Sequence, residues 1–453
     1  MSSVSSLDID PLSFYVETCG CAKNSVDSEN LTALLLQYGL RRADSPEEAA
    51  VLIVNTCGFI EEAKKESIAV FSEFRERFPD RKLVVTGCLA ERYLDELKQT
   101  GAADLFVGNK SVRKTAEAVL EAAVGAAQPI PDSLFYERRF FLSGPGSAYV
   151  KIAEGCENYC TFCAIPLIRG KVKSRTVESV IEEVRSLISQ GIYEINLVAQ
   201  DLTAFGNDSG RNGGTEPLET LLRALERIDG RFQIRLLYIH PDHITDSLLQ
   251  TVAESQKIIH YFDIPFQHAS ASVLKQMGRR GSREIYTCLI EKIRRFMPDA
   301  VIRSTFMAGF PGESEKDAEE VDCFLRDTAL DWVGFFVYSR EEGTPAAKLS
   351  GALRHRLMRK KAERRKARWE AVQSEITAGK MKAYIGREMP VLIEEVFRGE
   401  PLAVGRVRFQ APEVDGCVVI KGGDPKPGEF WLCRVDGANG PDLEAEALRP
   451  WNI

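Results

Sequence analysis

The segment EGCENYCTFC carries Cys156, Cys160 and Cys163 at C-x3-C-x2-C spacing, directly after a β-rich run. Thiolates this close in one short loop can hold three irons of a 4Fe–4S cluster and leave the fourth iron without a protein ligand. An open iron on a low-potential cluster can chelate the amino and carboxylate groups of S-adenosylmethionine. An electron passed into the sulfonium then splits it to a carbon radical. A zinc loop is the competing use of such a triplet, but no fourth ligand stands nearby at zinc-like spacing.

A second set is dispersed. Cys57 follows the run VLIVNT, Cys88 follows KLVVTG, and the run FYVET enters a turn that holds Cys19 and Cys21. In a parallel sheet such turns lie along one edge, so cysteines distant in sequence converge where ligands of this fold usually bind. The pattern points to a second three-cysteine cluster, with Cys19 and Cys21 both open as the ligand from the first turn. Cys288, Cys323, Cys417 and Cys433 taken singly read as small core residues. Gln200 and Asp201, Gln267 and His268, and Arg303 with Thr305 end or line later strand candidates. There they would face a bound cofactor, and for His268 a structural role stands beside the functional one. Asp27, Ser28 and Glu29 open the first helix and read as capping residues, with shaping of the cysteine turn as the alternative. The glycines of MAGFPGE (307–313) let backbone approach a ligand closely, or make an ordinary strand-to-helix turn.

The elements that must position these residues alternate. From 14 to about 125, the runs FYVET, VLIVN, KLVVT and ADLFV are each followed by amphipathic sequence, the βα repeat of a parallel sheet. Residues 126–146 lack periodicity and read as a linker. A second series starts at AYVKIAEG. Its first helix is marked by Val177, Val180, Ile181, Val184, Leu187 and Ile188, and Gly191 closes it. EINLVAQ, IRLLYI, YFDIPF, VIRSTFMAG and VGFFVYS complete six strands, an incomplete βα barrel with its chemistry at the C-terminal strand ends. A long charged helix follows. From about 384, short β runs between Gly and Pro turns read as a small antiparallel barrel of four or five strands. The expected fold is therefore α/β: a parallel βα domain (12–128), a partial (β/α)6 barrel ending in a basic linker helix (142–380), and a small OB-like barrel (384–453).

Composition sets limits. Hydrophobic residues make up 44% of the 453 and charged residues 28%, and no 18-residue uncharged apolar run occurs, so a soluble chain with no membrane partner is expected. Residues 1–12 lack a basic and an apolar signal region, which leads us to expect the cytoplasm. In that reducing compartment an odd count of 11 cysteines suits metal ligands rather than disulfides. The net charge of −7 argues against a surface that grips nucleic acid throughout. Residues 354–382 nevertheless hold 11 Lys and Arg against three Glu, a solvated helix face or a contact for RNA.

With these residues in view, the chain resembles the radical S-adenosylmethionine methylthiotransferases. It is closer to their RimO group, which modifies a ribosomal protein, than to the tRNA-modifying MiaB group. The resemblance runs from Phe14 to the C-terminus through GCAKNSVDSE, NTCGFIEEAKKES, TGCLAERY, KIAEGCENYCTFCAIPLIRGK, EINLVAQD, YFDIPFQHAS, RSTFMAGFPGE and GRVRFQAPEVDG, the last in a TRAM-type barrel. Lys23 and Val26 are RimO-like; Cys19 and Phe205 depart from the usual pattern. The resemblance implies two 4Fe–4S clusters: Cys156, Cys160 and Cys163 hold the radical cluster, and Cys21, Cys57 and Cys88 the auxiliary one. It also implies S-adenosylmethionine as cofactor, with Gln200, Gln267, His268 and Arg303 the side chains we expect beside it. The implied reaction is methylthiolation of an aspartate β-carbon in small-subunit ribosomal protein twelve, with an electron-donor protein and a ribosomal RNA contact as further partners. Such chemistry calls for a radical, because an aliphatic C–H bond offers neither an acidic proton nor a leaving group. It also leads us to expect the two open irons to share one cleft. Competing readings are a tRNA adenosine methylthiotransferase, which would need a basic face for phosphates, and a non-catalytic iron–sulfur scaffold on the ribosome. From Arg387 onward eight basic and 12 acidic residues give a net-negative barrel, better suited to a basic ribosomal protein.

Overall fold

A computed structural model describes residues 10, 12–125, 129–131, 137–209 and 217–451. Residues 1–9 and part of the expected linker lie outside the described residues. The chain forms two compact units, Met1–Leu142 with Ala164–Lys171, and Ser143–Cys163 with Val172–Ile453.

In the first unit, β1 (Ser13–Thr18), β2 (Arg41–Arg42), β3 (Val51–Thr56), β4 (Lys82–Gly87) and β5 (Leu105–Phe106) form a parallel sheet in the order β2-β1-β3-β4-β5. The run ADLFV contributes only two residues to it. Helices α1 (Ala22–Gln37), α2 (Glu61–Arg77), α3 (Cys88–Arg92), α4 (Leu94–Thr100) and α5 (Val112–Val124) alternate with the strands. β3 is buried along its whole length because helices cover both faces. Leu52 and Val54 meet Phe71 and Phe74 of α2, whereas Val51 and Ile53 join Leu34 of α1 and Val119 of α5. Each such phenylalanine, withdrawn from water, contributes about 1.5–3 kcal/mol. The short α6 (Ile165–Ile168) also belongs to this unit, where Ala164 and Ile168 pack with Cys88.

The second unit holds a six-stranded parallel sheet in nearly sequential order. Its strands are β6 (Ser147–Lys151), β9 (Glu194–Val198), β10 (Gln233–Leu236), β11 (Ile258–Asp263), β12 (Val301–Ala308) and β13 (Trp332–Val337). AYVKIAEG splits: Ala153–Glu154 (β7) leaves the sheet to pair with Lys173–Ser174 (β8). Helices α7 (Val177–Ser189), α8 (Pro217–Glu226), α9 (Asp246–Glu254), α10 (Ala271–Gln276), α11 (Arg283–Phe296) and α12 (Glu315–Thr328) connect the strands. Thr176 caps α7 through Ser179 N–H, and the expected stripe buries Val180, Val184 and Leu187. The basic run forms the 31-residue α13 (Ala352–Lys382). Part of it turns inward, since Arg365 is buried against Glu313 at 2.9 Å.

Strands β14 (Glu388–Val396), β15 (Leu402–Arg406), β16 (Val418–Lys421), β17 (Phe430–Asn439) and β18 (Asp442–Pro450) close a barrel in the order β14-β15-β16-β18-β17. Four neighbouring pairs are antiparallel, and β16 with β18 is parallel. Five strands cannot alternate in direction all the way round a closed barrel, so one like-directed pair is unavoidable. Residues 406–415 fasten this barrel to the six-stranded sheet. Arg406 reaches Glu194 at 3.0 Å, Trp332 Nε1–H donates to Phe409 O at 2.9 Å, and the Tyr261 hydroxyl donates to Asp415 at 2.6 Å.

Candidate iron–sulfur and cofactor sites

Strand register brings the dispersed cysteines together. Thr56 of β3 pairs with Gly87 of β4, so the next residues, Cys57 and Cys88, leave the sheet edge side by side. From the neighbouring β1, Cys19 N–H donates to Asn55 O at 2.9 Å, and Cys21 stands at the N-terminus of α1. Glycine makes the close approach possible. A Cβ on Gly20, whose φ is +102°, would lie 2.8 Å from Cys57 Cβ; one on Gly58 would lie 2.7 Å from Leu89 N and 2.8 Å from the Cys88 carbonyl carbon. Neither space accepts a methyl group.

Asn24 ties the turns together. Its Nδ2 donates to Cys19 O at 2.8 Å and to Thr56 O at 3.1 Å, which spends both amide hydrogens. Asn55 Nδ2 in turn donates to Asn24 O and Ser28 Oγ, both at 2.9 Å. Burial pushes the Cys57 thiol up to about 12, and the proximity of Cys88, Cys21 and Cys19 adds to the effect. Cys21 is exposed, whereas Cys19 is 6% exposed in the core with Leu52 and Val54. Asp27, Ser28 and Glu29 are not caps. They lie inside α1, which has no side-chain cap, and all three are buried. Glu29 pairs with Arg138 at 2.5 Å and Asp27 with Arg169 at 3.0 Å.

In the second unit the cysteine loop is pinned by backbone. Thr161 N–H donates to Met277 O at 2.9 Å, Ala346 N–H to Thr161 O at 2.8 Å, and Cys163 N–H to Cys160 O at 3.0 Å. Asn158 Nδ2 donates to Asp201 Oδ2 at 2.8 Å, which joins the loop to the end of β9. Burial alone would raise the Asp201 carboxyl, but hydrogen bonds from His243, Thr203 and Asn158 hold it down at about 2. The His243 ring lies 4.7 Å from that of His240, which burial and the Arg279 charge keep neutral, near 3. Sequence reasoning missed both histidines; the segment YIHPDH at the end of a barrel strand was the available signal.

The four side chains expected beside the cofactor are placed differently. Gln200 follows β9 with Oε1 buried and without a hydrogen-bond partner among the described residues, an acceptor waiting for a donor. Gln267 adopts φ +70°, and its N–H donates to Thr305 O at 2.7 Å. Tyr238 and Tyr159 likewise have positive φ, so backbone strain gathers at this end of the sheet and in the cysteine loop. His268 is fully buried, takes the Ser270 N–H at 2.9 Å and meets Trp369 edge-on. Arg303 is engaged by Asp263 at 2.9 Å and by Asp415 of the barrel at 3.5 Å.

Among the described residues no three His, Cys, Asp or Glu side chains gather around a single metal ion. A cuboidal cluster makes a different demand: each thiolate sits on its own iron, so the ligands stand apart. Three turns that only glycine lets meet, and a Gln acceptor left open next to Asp201, which holds Asn158 of the C-x3-C-x2-C loop, fit clusters and an amino-acid-like cofactor.

Residues 13–108 match the family described as Uncharacterized protein family UPF0004, residues 150–325 the Radical SAM superfamily, and residues 385–448 the TRAM domain. The Radical SAM match implies a 4Fe–4S cluster and S-adenosylmethionine. Ribosomal protein uS12 methylthiotransferase RimO of Treponema denticola is 37% identical, over 95% of this chain and 99% of that protein. The proteins of the same name from Opitutus terrae (40%; 94% and 94%) and Geobacter sulfurreducens (39%; 95% and 97%) are similarly close. In fold, the chain is similar to the radical S-adenosylmethionine methyltransferase TsrM from Kitasatospora setae, with TM-score 0.54 and 17% identity, over 74% of this chain and 73% of that one. On sequence likeness over nearly its whole length, this chain belongs to the RimO family of radical S-adenosylmethionine methylthiotransferases.

Proposed function

We propose that this enzyme methylthiolates the β-carbon of an aspartate in ribosomal protein uS12, using two three-cysteine clusters. Cys156, Cys160 and Cys163 hold the cluster that binds S-adenosylmethionine, and Cys21, Cys57 and Cys88 hold the one that delivers sulfur. The observation that carries the reading is the in-register exit of Cys57 and Cys88 beside the Cys21 turn, in a chain that also has the C-x3-C-x2-C loop. When bound, the clusters supply the electron that cleaves S-adenosylmethionine and the sulfur that is transferred.

The chain's own residues position and shield. Asp201, kept ionised, orients Asn158 of the cysteine loop and accepts from His243. Gln200 Oε1 offers an acceptor to an N–H of the cofactor's amino group, and the Gln267 backbone forms part of the same strand-end rim. His268 and Arg303 support that rim from behind, through Ser270 and Asp263. Reductive cleavage consumes an electron, so an electron-donor protein is a further partner. The exposed Arg356, Arg359 and Lys360 of α13 are suited to ribosomal RNA phosphates. A ribosomal substrate supports a cytoplasmic enzyme. No helix among the described residues is long and apolar enough to cross a membrane.

Mass spectrometry of uS12 and tRNA from cells with and without this gene tests the reading. Loss of one methylthio mass from uS12, with tRNA unchanged, is expected. An unchanged uS12 overturns the assignment.

A further inference from the structure

Among the three cysteines assigned to the auxiliary cluster, Cys88 is distinguished by the side chains around its sulfur. Two N–H donors point at Sγ: Asn109 Nδ2 at 3.3 Å and Arg169 Nη2 at 3.4 Å. The guanidinium is held rigidly. Nη2 shares its two hydrogens between Cys88 Sγ and Asn24 Oδ1, the latter at 2.9 Å, while Nη1 donates to Asp27 at 3.0 Å. The Arg169 side chain is 2% exposed and that of Asp27 10%, so water screens this charge pair poorly. Asn24 is itself fixed by the carbonyls of Cys19 and Thr56, so the orientation of Arg169 is locked to all three cysteine turns.

We propose that Arg169 is a positioning residue for the auxiliary cluster, fixing the Cys88 sulfur and setting the cluster's reduction potential with a buried positive charge that Asp27 partly offsets. The inference rests on the two-cluster reading above. Reduction adds negative charge to an already anionic cluster, and a cation hydrogen-bonded to one ligand sulfur stabilises the reduced form more than the oxidised form. Arg169 therefore moves the potential upward, and Asp27 moves it down. A guanidinium suits this task because it can serve carboxylate, amide and sulfur at once in a fixed plane, and it does not lose its proton. The local sequence follows the same logic: Arg169 lies six positions after Cys163, yet its segment belongs to the first unit and packs on Cys88.

The test uses the full chain with Cys156, Cys160 and Cys163 changed to Ala, reconstituted anaerobically, so that only the auxiliary cluster is seen. Its midpoint potential is read by a redox titration followed by electron paramagnetic resonance. Arg169→Met should shift the midpoint to a more negative value, and Arg169→Lys should recover most of the shift. Asp27→Asn should move it the other way, which keeps the test decisive if Arg169→Met loses iron. Midpoints unchanged in these variants at full iron content overturn the inference alone. A triple-Ala background that binds no iron overturns the two-cluster reading, and this inference with it.

Discussion

Replacing Gly58 with alanine tests whether the cysteine turns meet as described. No positive φ complicates the site, so the whole effect is one of space. The new Cβ would stand 2.7 Å from both Leu89 N and Cα and 2.8 Å from the Cys88 carbonyl carbon. Carbon contacts settle at about 3.5–4.0 Å, so the two turns must part by roughly 0.7–1.3 Å. Nothing nearby can yield by changing rotamer, because the opposing atoms are backbone at the start of α3, where Leu89 is 2% exposed and Ala90 fully buried. Overpacking of this kind costs about 1–3 kcal/mol. In a unit of this size, that corresponds to a melting temperature lower by roughly 2–10 °C. Calorimetry of the iron-free protein reads the first effect; iron and sulfide per chain after reconstitution read the second, which should fall as Cys57 moves away from Cys88. Gly379→Ala is the control. With no atom within 4 Å inside α13, it should stabilise by about 0.5–1 kcal/mol. A Gly58→Ala protein with parental melting and full iron content would refute the reasoning.

Other consequences are equally direct. Glu29→Gln leaves the 2%-exposed Arg138 side chain buried without its carboxylate and should cost about 3–5 kcal/mol in urea unfolding; a loss below about 1 kcal/mol would show the pair to be ornamental. The Asp201 carboxyl, ordinarily at 3.8, is held at about 2, so unfolding takes up a proton once the pH falls below the unfolded value. Its contribution of roughly 2 kcal/mol is present above about pH 4 and lost as the pH falls to about 2. Asp201→Asn should flatten the acid limb of stability across that window, and identical limbs in the two proteins would contradict the assignment.

Much of this architecture is written locally. VLIVNTC and KLVVTGC announce buried strands running into glycine-flanked cysteines, and parallel register then places Cys57 beside Cys88 with no further information. The α7 stripe was equally plain. Choosing Cys21 over Cys19 was not: alternation along β1 does not extend into the turn, and burial does not separate the two, since Cys19 shares its core with Cys57. The partners of Glu29 and Asp27 were invisible for a different reason. Arg138 and Arg169 lie 109 and 142 residues away, so acidic residues early in a helix looked like caps. The His240 and His243 pair belonged to no metal spacing and acquires meaning only through Asp201. In the C-terminal barrel, short β runs announced four of the five strands but not β18, whose sequence DLEAEALRP has little β character, and the parallel β16–β18 pair follows from closure, which no single run contains.

The central claim is that the two cysteine triads have separate tasks, and product accounting in two variants tests it. Cys160→Ala and Cys57→Ala are reconstituted anaerobically with S-adenosylmethionine, a reductant and uS12, and 5′-deoxyadenosine and methylthiolated uS12 are measured separately. Cys160→Ala should form neither product, and Cys57→Ala should still release 5′-deoxyadenosine without methylthiolated uS12. Equal loss of both products in the Cys57 variant would contradict the division.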